Sequence, residues 1–239
     1  MKLEVCIDRI ESALAARDGG ANRIEVCGAL SIGGITPSYG LVEECASFGG
    51  IEVMMMIRPH PGAFYYGNDE LGTMMRDIQV AKEIGVHGVV LGALRTDGHV
   101  DRELCQRLID SARPLSVTFH RAFDLTPDPI EALDILLDLG VDRLLTSGHA
   151  STAMQGVKVI RELVQRAGTD LCVMAGAGIR AQDIARLVRA TGVREVHASA
   201  SDEVAEVTSN SMGIIQTTRL TSKENVLAMT RAIQELEMI

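Results

Sequence analysis

The chain has 239 residues, of which 46% are hydrophobic, so it is long enough to enclose a substantial core in one or two domains. Its formal net charge of -9, without any Lys/Arg-rich run, argues against a protein that coats nucleic acid or an anionic membrane. No segment reaches the roughly 18 apolar residues of a membrane span, and the first residues lack the apolar region of a secretory signal. Five widely spaced cysteines without a CxxC pair favour reduced thiols, and we expect a cytoplasmic location.

Eight short apolar runs recur along the chain, with helical stretches between them. In chain order they read LEVCI, RIEVC, VMMMI, GVVLG, LSVTFH, RLLTSG, LCVMAG and EVHASA. Helix starts are predicted at Ser38, Asp69, Asp101, Asp128, Ser151 and Gln182, and helix-ending glycines at Gly19, Gly85, Gly140, Gly168 and Gly192. Eight strand–helix repeats predict an α/β fold, a single (β/α)₈ TIM-barrel domain over residues 1–239.

The last repeat is predicted to be irregular. Residues 201–221, SDEVAEVTSNSMGIIQTTRLT, lack a helical period and follow the eighth apolar run. We therefore expect this segment to form a loop that leads into a closing helix at about residues 222–237.

Alternation along the strands predicts which side chains enter the barrel, because successive strand residues point to opposite faces. In the first strand, Glu4, Cys6 and Asp8 face inward. The same alternation places inward Glu25, Cys27, Met54, Met56, Arg58, Ser116, Thr118, His120, Glu195, His197 and Ser199. Barrel interiors are usually filled by Val, Ile and Leu, whereas polar groups at the carboxyl ends of the strands build active or binding sites. The sequence thus predicts a polar cavity at that end of the barrel.

Several of these polar residues suggest catalysis or anion binding, each with a structural alternative. Arg58 either neutralises Glu25 or holds an anionic ligand. His120 is a candidate general acid or base or a hydrogen-bonded interior histidine, and Asp124 adds a carboxylate beside it. The glycines of AGAG, Gly176 and Gly178, with Ser199 after the last strand, form a candidate phosphate site or a tight strand-to-helix turn.

The sequence resembles the CutC family of cytoplasmic barrel proteins associated with copper homeostasis. The resemblance spans residues 3–200 and rests on LEVCIDRIESALAARDGGANRIEVC, GGITPSYG, MIRP, VTFHRAFD, LTSG, LCVMAGAG and EVHASA. The chain departs from the family where RPHPGAF replaces the usual RPRGGDF. It also departs past residue 200, where the family has a longer segment with an Arg-Asn pair, and EVTSNSMGI is shorter and lacks the arginine. The expectation of a TIM barrel is therefore reinforced, and copper becomes the first candidate ligand.

The resemblance implies that the protein binds copper, as Cu(I), with the thiols of Cys6 and Cys27 as ligands. Thiolates suit this soft ion, and Met54 and Met56 offer thioethers. The alternative is that these four side chains only pack the interior, as buried cysteine and methionine often do. We assign packing roles to Cys45, Cys105 and Cys172.

A second hypothesis is an enzyme acting on a small phosphorylated or carboxylated metabolite. In it His120 is the acid or base, Arg58 clamps an anion, and Glu25 and Asp124 supply carboxylates. The expected partners are a copper ion and, in the enzyme hypothesis, a small anionic metabolite, with no nucleic acid or membrane. We also expect a homo-oligomer.

Overall fold

The computed structural model describes the backbone of residues 1–207 and 215–237, and the side chains of 1–204 and 218–237. Eight parallel strands close into a barrel in which each strand pairs with the next and the eighth pairs with the first. These strands are β1 Lys2–Ile7, β2 Arg23–Val26, β3 Glu52–Met56, β4 Gly88–Leu91, β5 Ser116–Phe119, β6 Arg143–Thr146, β7 Cys172–Ala175 and β8 Glu195–Ala198. The helices are α1 Ile10–Asp18, α2 Tyr39–Ser47, α3 Asn68–Ile84, α4 Arg102–Ala112, α5 Pro129–Asp138, α6 Val157–Ala167, α7 Ala181–Thr191 and α8 Lys223–Glu237. The predicted (β/α)₈ barrel is confirmed. In the described part of the chain, no helix has both the length and the hydropathy to cross a bilayer.

Most predicted helix starts lie at or beside the observed ones. The side chain of Asp128 accepts hydrogen bonds from the backbone N–H groups of Ile130 and Glu131 and so caps α5. The start predicted at Ser151 is wrong, because α6 begins at Val157. The intervening loop packs Gly148 against Gly156. A Cβ added to Gly156 would lie 1.9 Å from the Ser147 carbonyl oxygen.

The predicted alternation of strand side chains is confirmed by two separate apolar clusters. Leu3, Val5 and Ile7 of β1 belong to the large cluster that packs the barrel against its helices. Cys27, Met54, Met56 and Val90 form a small cluster of their own, with Leu30 packed against it. Residues of opposite parity therefore separate into an outer and an inner core.

Residues 201–221 form more regular structure than we expected. Strands β9 Ser201–Val207 and β10 Ile215–Thr221 pair antiparallel before α8, so the prediction of a loop is wrong for these residues. Residues 208–214, which contain most of the shortened EVTSNSMGI segment, lie outside the described residues. The backbone N–H of Ser222 donates to the Ala200 carbonyl at 2.9 Å, which ties the two ends of this hairpin together beside β8.

A chain of buried ion pairs crosses the barrel interior below the carboxyl ends of the strands. Arg23 is fully buried and donates to both Glu4 and Glu195. Arg143 donates to the same Glu195 oxygen, Oε2, at 2.7 Å. Burial disfavours the charged guanidinium, but the two carboxylates raise the pKa of Arg23 above its ordinary value. The network joins β1, β2, β6 and β8 and forms the floor of the site described next.

Candidate functional site

A cavity of about 520 Å³ opens at the carboxyl ends of the strands, a usual size for a small-molecule site. We call it the central cavity. It is lined by Cys6, Glu25, Cys27, Arg58, His120, Asp124 and His197, with Leu30, Ile32, Met56, Phe64, Leu125 and Leu145 among its apolar neighbours. The structure therefore brings together both cysteines and all four polar residues that the sequence nominated for catalysis.

Three potential metal ligands converge on one side of the central cavity. One donor atom each from Cys6, Glu25 and His197 lies within 4.8 Å of the other two. His197 Nε2 is 3.7 Å from Glu25 Oε2. These residues meet because β1 lies between β2 and β8 in the closed barrel. Burial raises the pKa of Glu25 to about 7, although His197 opposes the shift.

Glu4 fixes the orientation of the His197 ring from below. His197 Nδ1 lies 2.8 Å from Glu4 Oε1, which leaves Nε2 facing Glu25 and Cys6. Burial alone raises the pKa of Glu4, but the His197 hydrogen bond and the Arg23 charge lower it to about 2. A carboxylate behind an imidazole is the usual support of a metal-binding histidine.

Cys27 lies beside this cluster and belongs to the inner apolar core. Its side chain is fully buried with Met54, Met56 and Val90. Burial, followed by the neighbouring Glu25, raises the pKa of the Cys27 thiol well above its ordinary value. In the protein without a ligand Cys27 is thus a neutral thiol, which explains how it packs against methionine.

Arg58 organises the loops around the cavity. Its Nη1 donates to the carbonyls of Gly34 at 2.8 Å and Gly33 at 3.3 Å, and its Nη2 donates to Gly62 at 2.8 Å. The guanidinium carbon lies 4.5 Å from the centre of the Phe64 ring. One sequence alternative for Arg58 was an ion pair with Glu25, but among the described residues the ion-pair partner of Glu25 is His197.

His120 faces the cavity as a neutral ring. Its Nδ1 accepts the backbone N–H of Ala122 at 3.2 Å, so Nε2 carries the ring hydrogen. Burial, aided by the Arg58 charge, lowers the pKa of His120 to about 3. The ring packs on Phe64 and Phe119, at 4.9 and 5.9 Å between centres. At neutral pH this geometry favours a hydrogen-bond donor over a proton-transferring group.

Asp124 has its oxygens occupied by the loop after β6. It accepts hydrogen bonds from Thr146 Oγ1, from Ser147 N and Oγ, and from His149 N. Arg121 Nε also donates to it at 2.9 Å. Burial raises the pKa of Asp124, but these bonds outweigh it and lower the value. Asp124 therefore lies at the cavity and shapes its rim.

The residues nominated for phosphate binding divide between two places. Gly178, with φ +69°, and the exposed Ser199 line a separate cavity of about 560 Å³ beside the hairpin, together with Arg180 and Arg219. Gly176 instead allows close packing, because an added Cβ would lie 2.6 Å from Leu145 Cδ1. Gly178 and Ser199 thus share a surface that Gly176 does not line.

Sequence reasoning placed Glu4 and His197 inside the barrel but gave neither a role in the site. The signal was present in their parity, since both occupy inward positions near the thiol-bearing strands. Parity alone could not show that Glu4 and His197 are in contact, because they are 193 positions apart and meet only when β8 pairs with β1.

Fold and site together define a (β/α)₈-barrel protein with a thiol-, carboxylate- and imidazole-lined cavity at the carboxyl ends of its strands. A family model described as "CutC family" matches residues 1–202. The chain belongs to the CutC family.

Relatives of known name agree with this assignment. The chain is 47% identical over 199 residues to a "family protein CutC" of Pasteurella multocida, covering 83% of this chain and 82% of that one. It is 47% identical over 198 residues to the "Copper homeostasis protein cutC homolog" of Homo sapiens, covering 83% of this chain and 72% of the human one.

Solved structures give the same fold. The putative copper homeostasis protein CutC from Streptococcus agalactiae superposes with a TM-score of 0.80 at 33% identity, over 83% of this chain and 99% of that chain. Thiamine phosphate pyrophosphorylase from Pyrococcus furiosus superposes with a TM-score of 0.62 at 16% identity, over 98% and 96% of the two chains, and shares the barrel fold alone.

Proposed function

We propose that this protein binds a copper ion, as Cu(I), in the central cavity and serves copper homeostasis. The observation that carries the proposal is the convergence of Cys6, Glu25 and His197, whose donor atoms lie within 4.8 Å of one another. Thiolate and imidazole are ligands that copper accepts, and a soft thiolate favours the Cu(I) state.

The donor set fits a metal in its supporting contacts as well. Glu4 holds Nδ1 of His197 at 2.8 Å, so that Nε2 is presented to the cavity. Cys27 offers the second thiol beside the cluster, and Met54 and Met56 pack around it. In this proposal Cys6 and His197 bind the ion, and Cys27 joins them when it loses its proton.

The names of two relatives support copper as the metal. The human relative is named a copper homeostasis protein homolog, and the Streptococcus agalactiae structure is named a putative copper homeostasis protein. The first of these is 47% identical to this chain over 198 residues. We extend the copper role to this chain on that basis.

Cu(I) titration of the purified protein under reducing conditions, against a chromophoric Cu(I) chelator, tests the proposal. The double variant Cys6→Ser/Cys27→Ser should lose the tight site. The matched control is Cys105→Ser, which removes a buried thiol that bonds the Ala93 carbonyl in the outer core. Equal stoichiometry and affinity in the double variant and the parent protein would refute the copper site.

A second candidate function is an enzyme acting on a small phosphorylated or carboxylated metabolite. It is favoured by the polar lining of the central cavity, where Glu25, Arg58, His120 and Asp124 meet. Gly178 and Ser199, beside Arg219, offer a place for a phosphoryl group at the second cavity. A metabolite screen without any thermal shift, and crystals without anion density at Gly178, would exclude this candidate.

We further propose that the protein acts in the cytoplasm as a homo-oligomer. All five cysteines are free thiols, as expected of a reducing compartment. Cell fractionation and light scattering on the eluting protein measure these two properties. Recovery outside the cytoplasm, or a mass of a single 25.7 kDa chain, would contradict them.

A further inference from the structure

Cys27 lies beneath a loop that separates it from solvent. The residue is 0% exposed, although the proposed copper site uses its thiol as a second sulfur ligand. A metal ion bonds sulfur at about 2.3 Å, by analogy with zinc, so the covering atoms must move before an ion bonds Cys27. Access to this ligand therefore depends on the residues that cover it.

The cover consists of residues 29–34, which we call the lid. Leu30 packs against the inner apolar cluster that contains Cys27. At Gly34, where φ is +80°, an added Cβ would lie 3.3 Å from Cys27 Sγ, so the backbone passes close to the thiol. Leu30 and Cys6 line both the central cavity and a neighbouring cavity of about 710 Å³. The Leu30 side chain thus covers Cys27 and also divides the two cavities.

The base of the lid is fixed, while its body is largely exposed. Gly28 and Ile35 exchange backbone hydrogen bonds of 2.8 Å in each direction, which closes the loop at its base. The exposed lid residues are Ala29, Ser31, Ile32 and Gly33. A loop with few buried contacts opens at a lower free energy than the core beneath it, without unfolding of the domain.

Two side chains tie the lid to the barrel among the described residues. Asp8 Oδ2 accepts the backbone N–H of Leu30 at 3.1 Å. Arg58 Nη1 donates to the carbonyls of Gly34 at 2.8 Å and Gly33 at 3.3 Å. Asp8 is the better position for a test, because Arg58 also lines the central cavity whereas Asp8 lines the neighbouring one.

We propose that the lid opens about its Gly28–Ile35 base, with Leu30 as its gate, to admit copper to Cys27. The closed lid keeps Cys27 packed in the inner core, and the open lid exposes the thiol and joins the two cavities. This inference deepens the copper proposal and rests on it for the role of the opening. The opening itself is measured without any metal.

Alkylation of the metal-free protein by N-ethylmaleimide measures the opening. The parent for this experiment is Cys6→Ser, which lacks the neighbouring thiol that would react first, and peptide mass spectrometry follows each remaining cysteine. Cys27 should react more slowly than the partly exposed Cys172 but at least tenfold faster than Cys105, which is buried in the outer core and reports global unfolding. Cys27 reacting as slowly as Cys105 would overturn the lid, and so would Cys27 reacting as fast as Cys172.

Variants of the lid test the gate and its tie in the same background. Asp8→Ala removes the bond to the Leu30 N–H and should raise the rate of Cys27 alkylation about tenfold, without changing that of Cys105. Leu30→Ala removes the covering side chain and should raise the rate in the same direction. The matched control is Ser31→Ala, on the exposed surface of the lid, which should leave the rate unchanged. An unchanged Cys27 rate in both Asp8→Ala and Leu30→Ala would overturn the proposal.

Hydrogen exchange of the unmodified protein gives a second readout that survives if a variant fails to fold. The backbone N–H of Leu30 should exchange at least tenfold faster than the N–H groups of β2 beneath the lid. Exchange of Leu30 as slow as that of β2 would show that the lid opens only when the whole domain unfolds.

Cu(I) uptake separates this inference from the copper proposal. Stopped-flow mixing with Cu(I) should show faster association with Leu30→Ala than with the unmodified protein. An open lid by alkylation and exchange, in a protein that takes up no Cu(I), would refute the copper proposal and leave the lid in place. Tight Cu(I) binding at equal rates in both proteins would refute the gate and leave the copper proposal in place.

Discussion

His120 illustrates how burial alone can remove a side chain from acid–base chemistry near neutral pH. The ring is 4% exposed and packs against aromatic side chains. The positive charge of Arg58 also disfavours a positive charge on the imidazole. Its pKa is therefore lowered to about 3. The backbone N–H of Ala122 donates to His120 Nδ1, which fixes the orientation of the ring and leaves its hydrogen on Nε2. Near pH 7 the ring is therefore neutral and held in one orientation.

The depressed pKa of His120 predicts a specific loss of stability in mild acid. Between its ordinary pKa of 6.5 and the folded value of about 3, the unfolded chain binds a proton that the folded protein does not. The stability contributed by this group is complete above pH 6.5 and falls by about 1.4 kcal/mol per pH unit below it.

The variant His120→Gln cannot take up this proton. From pH 7 to pH 5 the parent protein should lose about 2 kcal/mol more of its free energy of unfolding than the variant does. Urea denaturation at the two pH values measures the difference. Equal losses in both proteins would show that His120 is not held neutral.

The candidate site was only partly predictable from the residues. Parity alone places Cys6, Glu25 and His197 in the interior, because it depends on nothing but strand alternation. It cannot show that His197 turns Nε2 toward Glu25, since that orientation depends on Glu4 and on the closure of β8 onto β1. The engagement of Arg58 by loop carbonyls is also beyond sequence, because it depends on the path of the loops through Gly34 and Gly62.

Among the helices, the start of α5 depends on a local signal that sequence shows directly. Asp128 caps two backbone N–H groups, and Pro129 occupies the first turn. Replacing Asp128 with Ala should lower the free energy of unfolding by about 1 kcal/mol, as is usual for a lost cap.

Ser151 provides the matched control for this cap. It is exposed and lies six residues before α6 begins at Val157, so Ser151→Ala should change stability by less than about 0.5 kcal/mol. Thermal or urea denaturation compares the two variants. A larger effect at Ser151 than at Asp128 would contradict the observed helix starts.

The barrel strands were predictable because each is a short apolar run followed by a helix, a pattern repeated eight times. The β9–β10 hairpin was missed although its sequence holds the signal: IIQTTRLT contains the β-branched residues that favour strands. We missed the hairpin because we expected only a loop between the eighth strand and its helix. The expectation of a regular repeat also misplaced the start of α6. This helix begins at Val157, directly after Gly156, which packs closely against the Ser147 carbonyl.

The barrel as a unit is joined by the buried ion pairs centred on Arg23. This guanidinium links Glu4 of β1 to Glu195 of β8, and through Glu195 to Arg143 of β6. It also supports the site, because Glu4 is the residue that orients His197. A complete buried network of this kind adds little net stability, but removing one of its members destabilises the protein strongly because a charge is left buried without a partner.

Replacing Arg23 with Met should therefore destabilise the protein strongly. Glu4 and Glu195 would be left buried without their shared cation, at a cost of about 3–5 kcal/mol in the free energy of unfolding. The control is Arg76→Met, which breaks the pair with Glu83 where both side chains are more than half exposed, and which should cost less than about 1 kcal/mol. Urea denaturation at pH 7 measures both. Similar small losses in the two variants would show that the network contributes little to the barrel.

The most direct test of copper binding in the central cavity is X-ray absorption at the copper edge of the Cu(I)-loaded protein. Our account predicts a ligand shell of sulfur and imidazole nitrogen, with a Cu–S distance of about 2.2–2.3 Å by analogy with zinc. In Cys6→Ser the sulfur contribution should decrease, and in His197→Gln the imidazole contribution should vanish. A shell of oxygen and nitrogen alone, or spectra that are the same in the parent protein and both variants, would contradict the proposed site.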